Sequence, residues 1–88
     1  MEILKISSKT PSGGAAESLL KALGQAKEAE LCAIGAGAVN QAVKAIAIAA
    51  QEIDLTCIPT FGSTEIEDQK MVMVILTVRK AKKGGKKS

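Results

Sequence analysis

The glycine-rich stretch of residues 32–50, CAIGAGAVNQAVKAIAIAA, is the segment whose residue types most clearly allow chemistry. Gly35 and Gly37 separate an apolar, strand-like run from an alanine-rich, helix-like run. Free backbone amides at such a helix start can bind an anion. Three interpretations are open: the loop holds a ligand's phosphate, approaches a nucleic-acid backbone, or only allows a tight turn.

Known nucleotide-binding motifs fit this loop poorly. The dinucleotide fingerprint G-x-G-x-x-G needs a third glycine where this chain has Asn40, and a Rossmann domain needs a longer chain. A P-loop needs Gly-Lys followed by Ser or Thr, which the loop lacks. The sequence therefore predicts no cofactor.

Side chains that could act in catalysis are present but are not arranged for it. Residues 63–68, STEIED, hold three carboxylates at a predicted hairpin turn, with no cleft implied around them. Thr10, Ser12 and Ser63 carry hydroxyls, but the chain contains no histidine to activate them. We therefore expect a protein that is not an enzyme.

The two cysteines, Cys32 and Cys57, are predicted to be buried free thiols that bind no metal. Each lies in an apolar run outside any C-x-x-C pair, and no histidine is available to complete a zinc set. The first ten residues lack the basic and apolar regions of a signal peptide, and no apolar stretch is long enough to span a membrane. We expect a soluble, cytoplasmic protein.

Charge is divided unevenly along the chain, whose 88 residues are expected to form one domain. The net charge is +3, yet residues 79–88, RKAKKGGKKS, contain six of the twelve basic residues and no acidic one. The remaining residues carry six lysines and nine acidic residues, a net charge of −3. This pattern predicts a folded domain over residues 1–79 and a basic, disordered tail over 80–88 that can attract phosphates.

The spacing of apolar residues predicts six elements in the order β-α-β-α-β-β. Strands are expected at residues 2–8, 30–35, 54–64 and 70–80, with helices at 12–27 and after the glycines. Ser12 is expected to cap the first helix. The first two strands should be parallel and joined by a right-handed crossover. Two helices on one face of a mixed four-stranded sheet make a two-layer α/β sandwich.

Three elements are more apolar than a small monomer can bury. Residues 30–35, ELCAIG, form a continuous apolar run, which predicts burial on both faces of that strand. The predicted stripe of the second helix is Val39, Val43, Ile46, Ala50 and Ile53. The last strand has two apolar faces and is expected at the centre of the sheet, whereas Pro59 places the third strand at an edge or bulge. This excess predicts a homo-oligomer, a dimer or larger.

The element order and the glycine-alanine start of the second helix resemble the Alba superfamily. More specifically, MEILKISSKTPSGGAAESLLKAL, AIGAGAVNQAVKAIAIA and LTCIPTFGST resemble the bacterial stage V sporulation protein S family, over residues 1 to about 80. The family name implies a role late in spore formation. The Alba likeness implies a small dimeric protein that binds DNA or RNA through loops and helix starts.

The resemblance can be carried over residue by residue. Where Alba proteins have Lys-Lys-Pro after the first strand, this chain retains Lys9 and Pro11 and has Thr10 between them. Where they have Arg-Gly-Arg-Ala-Ile-Ser-Arg-Ala-Val, this chain has GAGAVNQAV. Gly35, Gly37 and Gln41 thus replace three arginines, while Ala38, Val39, Ala42 and Val43 keep the packing side.

The lost arginines predict weaker nucleic-acid binding, because most non-specific affinity comes from cations on phosphates. Tyr and Trp are absent and Phe61 is the only aromatic residue, so base stacking contributes little. The predicted contacts are Lys5, Lys9, Thr10, Gly35, Ala36, Gly37, Asn40, Gln41, Lys44, Arg79, Lys80, Lys82 and Lys83. The alternative hypothesis is an oligomeric scaffold or protein-interaction module that binds no nucleic acid.

Overall fold

The fold is a two-layer α/β sandwich, seen in a computed structural model that describes residues 2–81. The elements follow the predicted order: β1 (Glu2–Ile6), α1 (Ser12–Gln25), β2 (Glu28–Ala33), α2 (Ala36–Ala49), β3 (Leu55–Ile66) and β4 (Gln69–Lys80). The predicted tail residues 82–88, with Lys82 and Lys83, lie outside the described part of the chain. Lys80 ends β4, so the described fold includes this first residue of the predicted tail.

The four strands form one mixed sheet in the order β1-β2-β4-β3. β1 and β2 are parallel, as predicted, and the other pairs are antiparallel. β4 is central, which confirms the prediction from its two apolar faces. Pro59 lies in the edge strand β3, and the β3–β4 register runs without a bulge from Leu55 opposite Lys80 to Ile66 opposite Gln69. An edge position is where a residue without an N–H is tolerated.

Both helices cover the same face of the sheet, and the core lies between the two layers. Its largest fully buried side chains are Leu19 and Leu23 of α1, Leu31 of β2 and Val78 of β4. The rest of the core is mostly alanine, which lets helices and sheet approach closely. Strand side chains alternate between the two faces of the sheet. Leu31, Val78 and the residues paired with them point towards the helices, and the residues before and after each of these point to the opposite face, here called the outer face.

The buried side of α2 differs from the predicted stripe. Its buried residues are Ala38, Ala42, Ala45 and Ala49, whereas Val39 and Ile46 are only partly buried and Val43 is 51% exposed. The prediction of Val43 on the packing side was therefore wrong. α2 packs closely against α1 and the sheet, so small residues occupy the contact and larger β-branched residues lie on its flank.

β2 is buried on one face only, which corrects the prediction of two buried faces. Ala29, Leu31 and Ala33 point towards the helices, while Glu30 and Cys32 lie half-buried on the outer face. The prediction of two buried thiols was also wrong, since Cys32 is half-buried and Cys57 is exposed. A single chain has no second layer to cover the outer face.

Ser12 was predicted to cap α1, but the helix already begins at Ser12. Pro11 is the N-cap residue in an extended conformation, and Ser12 is already the first helical residue. Ser12 is therefore not the cap, because its position places the hydroxyl inside the first turn. The helix ends at Gln25, two residues before the predicted end.

β3 and β4 extend beyond the rest of the sheet as a hairpin arm, defined here as residues 62–73. β2 pairs with β4 only from Val74 to Arg79, so the arm has no strand beside β4. The molecule is accordingly elongated, measuring 48 × 22 × 22 Å. The arm ends in a two-residue turn at Glu67 and Asp68, with φ of 50° and 65°, as in the tight hairpin turns that match strand twist.

Candidate nucleic-acid interface

The N-termini of α1 and α2 lie at the same end of the sheet, because each helix follows one of the two parallel strands. Within residues 2–81, neither start receives a side-chain hydrogen bond as a cap. Residues 11–16 and 35–40 contain no acidic residue. Each helix start therefore presents unpaired amide N–H groups and the positive end of its dipole. We call these two helix starts, together with the turn that follows β1, the loop end.

Two glycines shape the start of α2 in different ways. Gly35 is the N-cap residue with φ of 93°, a conformation that L side chains rarely adopt. Gly37 lies against the turn after β1: a Cβ added to it would be 2.9 Å from the Ser8 Cβ. Both glycines are thus needed for the tight turn between β2 and α2, which was the third interpretation of this loop. They also leave bare backbone at the surface.

The turn after β1, residues 7–10, has its own hydrogen bonds. The Thr10 N–H donates to the Ser7 carbonyl oxygen at 3.1 Å, and the Ser7 N–H donates to the Thr10 Oγ1 at 2.8 Å. The Lys9 N–H donates to the Ser7 Oγ at 3.2 Å. These bonds hold a compact turn on which Lys9 is exposed.

Gln41 connects this turn to α2. Its Nε2 donates to the Thr10 carbonyl oxygen at 2.7 Å, between residues 31 apart in sequence. The side chain is partly buried. A side chain predicted to contact nucleic acid is thus used in a contact within the chain.

The structure brings part of the predicted set together at the loop end. Lys9, Thr10 and residues 35–37 lie there, and Gln41 lies beneath the turn. Asn40 and Lys44 follow on α2 and are exposed. Lys5 is separate, because it lies on the outer face of β1 in register with Cys32.

Arg79 and Lys80 lie at the opposite end of the sheet. Arg79 is in register with Glu28, the first residue of β2, and its guanidinium makes an ion pair with that carboxylate. Lys80 is in register with Leu55 at the start of β3. These two predicted residues are therefore not part of the loop end.

The start of α1 is a part of the loop end that the sequence predictions missed. Gly13 and Gly14 have open space where a side chain would lie, and Ser7 and Ser8 are exposed beside them. The signal was available in PSGGAA, a helix start without an acidic residue or a large side chain.

Within residues 2–81, the thiols and carboxylates do not form a second candidate functional site. Burial raises the pKa of the Cys32 thiol, and the charge of Glu30 raises it further, while the charge of Lys5 lowers it. Desolvation also raises the pKa of the Cys57 thiol. Both thiols therefore favour the protonated form, which is a poor nucleophile and metal ligand. Among residues 2–81, no three His, Cys, Asp or Glu side chains are grouped as a metal site, and no helix is long and apolar enough to cross a membrane.

The sandwich with two helix starts at one end is the Alba type of fold. Among solved structures, the chain is similar to "Alba from Thermoplasma volcanium", with a TM-score of 0.65 and 14% sequence identity. The match covers 90% of this chain and 100% of that one. Identity this low establishes the fold alone.

The match to a sequence family is more specific than the similarity in fold. The family described as Stage V sporulation protein S (SpoVS) matches residues 2–81. The chain belongs to this family, and it is thus a sporulation-linked protein of Alba type.

Proposed function

We propose that this chain is a non-enzymatic, cytoplasmic, nucleic-acid-binding regulator that binds the sugar-phosphate backbone of DNA or RNA as a homodimer. The observation that supports it is the loop end, where two uncapped helix starts lie beside exposed Lys9. Amide N–H groups and helix dipoles at such positions favour phosphate. They read no base edges, so binding is expected to be independent of sequence.

Few cations support this binding, so its affinity should be modest and sensitive to salt. Lys9 and Lys44 are the lysines on the turn and on α2, where Gly35, Gly37 and Gln41 add no charge. Each phosphate neutralised by a cation contributes close to one unit to the salt dependence of binding. The basic residues 82–87 add charge to the chain, outside its described part.

The tip of the hairpin arm is acidic, which limits where nucleic acid can lie. Glu65, Glu67 and Asp68 are exposed there, with Lys70 in register with Glu65. Like charges repel, so a phosphate backbone is disfavoured at the tip. We therefore place no nucleic-acid contact at the tip of the arm.

An uncovered apolar surface supports the homodimer. On the helix side of the sheet, β3 lies beyond the helices, and Phe61 and Val72 there are 75% and 69% exposed. Val43 on the flank of α2 is exposed as well. Surfaces of this kind mark sites of association. A second copy would cover the dimer surface, meaning Val43, Phe61 and Val72, and would double the number of loop ends.

The proposal is tested by electrophoretic retardation of duplex DNA and single-stranded RNA at about 50 mM salt. Retardation of either polymer is expected, and deletion of residues 82–88 should weaken it. Lys27→Gln is the control for the loss of one positive charge outside the loop end. Lys27 is exposed and lies just before β2, at the end of the sheet opposite to the loop end. If the intact protein retards neither polymer, the proposed function is wrong.

A second candidate function is an oligomeric scaffold without nucleic acid, and a groove on the outer face favours it. The groove has a volume of about 820 Å³ and is lined by Ile3, Cys32, Ile66, Met73 and Ile75 among others. Recovery of a protein partner on tagged protein, unchanged by nuclease treatment, would favour the scaffold. Loss of all partners after nuclease treatment would favour nucleic-acid binding.

A further inference from the structure

We propose that Gln41 is a positioning residue, which holds the turn of residues 7–10 on α2 and so places Lys9, instead of contacting nucleic acid itself. The part concerning Lys9 rests on the proposed function. The part concerning the turn does not, because it depends only on contacts within the chain.

The hydrogen bond assigns the role of the side chain. A backbone carbonyl oxygen can only accept, so the Gln41 amide nitrogen must face the Thr10 oxygen, at 2.7 Å. The side chain is partly buried at a junction where Gly37 already meets the Ser8 side chain. The turn therefore has two attachments to α2, one polar and one steric.

The attachment reaches Lys9 through the turn. Thr10 offers its carbonyl to Gln41 while its N–H and Oγ1 bond to Ser7. Lys9 lies between these two bonded residues, and its own N–H donates to the Ser7 Oγ. Loss of the Gln41 bond removes the only side-chain hydrogen bond found, within residues 2–81, between this turn and α2.

The first test uses no nucleic acid. Gln41→Met keeps the length of the side chain and removes the donor, and Gln51→Met makes the same change at an exposed position just after α2. Amide hydrogen exchange of Ser7 and Thr10 is expected to become about fivefold faster in Q41M, with residues 42–49 and the Q51M variant unchanged. Unchanged exchange in the turn of folded Q41M would overturn the proposal.

The second test separates positioning from direct contact. Affinity for a DNA duplex is measured for the full chain and for Lys9→Gln, Gln41→Met and the double variant. If Gln41 acts through Lys9, the double variant should lose no more affinity than K9Q alone, since the two changes share one cause. Losses that multiply would show that Gln41 affects binding by a route other than Lys9, which contradicts the proposal.

The two tests fail separately. If the wild-type chain binds no nucleic acid, the proposed function falls, and hydrogen exchange alone decides whether Gln41 holds the turn. If the chain binds but the turn exchanges equally in Q41M and wild type, the proposed function stands and the positioning role is wrong.

Discussion

At the scale of single residues, the replacements that remove charge from the Alba pattern have structural uses in this chain. Gly35 adopts a positive φ, Gly37 makes room for Ser8, and Gln41 bonds the turn after β1. An arginine at Gly37 could not be accommodated without moving that turn. The loop end is thus built from backbone and neutral contacts, with Lys9 as the cation on the turn.

Gly37→Ala is expected to destabilise the fold by about 1–3 kcal/mol. The new Cβ would lie 2.9 Å from the Ser8 Cβ, which is closer than van der Waals contact, and the Ser8 Cβ cannot move without its backbone. Gly24→Ala is the matched control, since open space surrounds that helical glycine and alanine favours helix. Urea unfolding measures both free energies. Equal changes in the two variants would contradict the close approach.

The raised pKa of Cys57 predicts slow alkylation near neutral pH. Although the Cys57 side chain is exposed, the protein around its sulfur partly desolvates the thiol and raises its pKa, so the reactive thiolate is less populated than in a free peptide and increases only at higher pH. Iodoacetamide modification of a Cys32→Ser variant, followed against pH beside an unstructured cysteine peptide, should show a rate curve shifted to higher pH. A curve shifted to lower pH would show that burial is not the dominant influence.

At the scale of elements, α2 is held by small residues. Ala42 is fully buried between the layers, while Ala47 on the same helix is exposed. Alanine therefore has two different uses in one segment: as a packing surface and as a helix-forming residue.

Ala42→Leu should overpack this contact and lower the free energy of unfolding by about 1–3 kcal/mol. Ala47→Leu adds the same atoms on the exposed side and should change it by less than about 0.5 kcal/mol. Chemical denaturation compares the two variants directly. If both leucines are tolerated equally, the assigned buried face of α2 is incorrect.

The sequence predicted the order and type of the elements, because apolar periodicity and glycine-proline breaks are strong in this chain. It also predicted the parallel pair β1–β2 and the β3–β4 hairpin, but not the antiparallel pairing of β2 with β4. It did not predict which side of α2 is buried. Several faces of that helix are apolar, so periodicity could not choose between the alanine and the valine-isoleucine sides. The face that packs is decided by how closely the layers approach, which is a tertiary property.

The candidate site was predicted only in part for a related reason. Lys9 was predicted from the resemblance to Alba proteins, and residues 35–37 were predicted from the strand-to-helix junction. The role of Gln41 depends on a contact with Thr10, 31 residues away, which no local pattern shows. Likewise, the ion pair of Arg79 with Glu28 depends on sheet register.

At the scale of the whole molecule, the loop end and the dimer surface use different side chains, although Phe61 lies at the same end of the sheet, in register through Val74 with Ala33 at the end of β2. The loop end carries the helix starts, whereas the dimer surface carries the exposed apolar side chains of Val43, Phe61 and Val72. A dimer formed through these side chains would carry two loop ends.

Phe61→Lys is expected to convert the dimer to a monomer, because it places a charge in an apolar contact. Sedimentation velocity measures the state, and Ile3→Lys on the outer face is the matched control. A wild-type chain that sediments as a monomer would contradict the dimer surface.

The most direct test of the central claim is the salt dependence of nucleic-acid binding. Fluorescence anisotropy gives the association constant for a DNA duplex between about 20 and 200 mM salt for wild type, Lys9→Gln and Lys27→Gln. Binding at the loop end predicts that K9Q lowers the slope of log K against log salt by about one per subunit, while K27Q leaves it unchanged. Equal slopes for all three proteins, or a loss in K27Q alone, would contradict binding at the loop end.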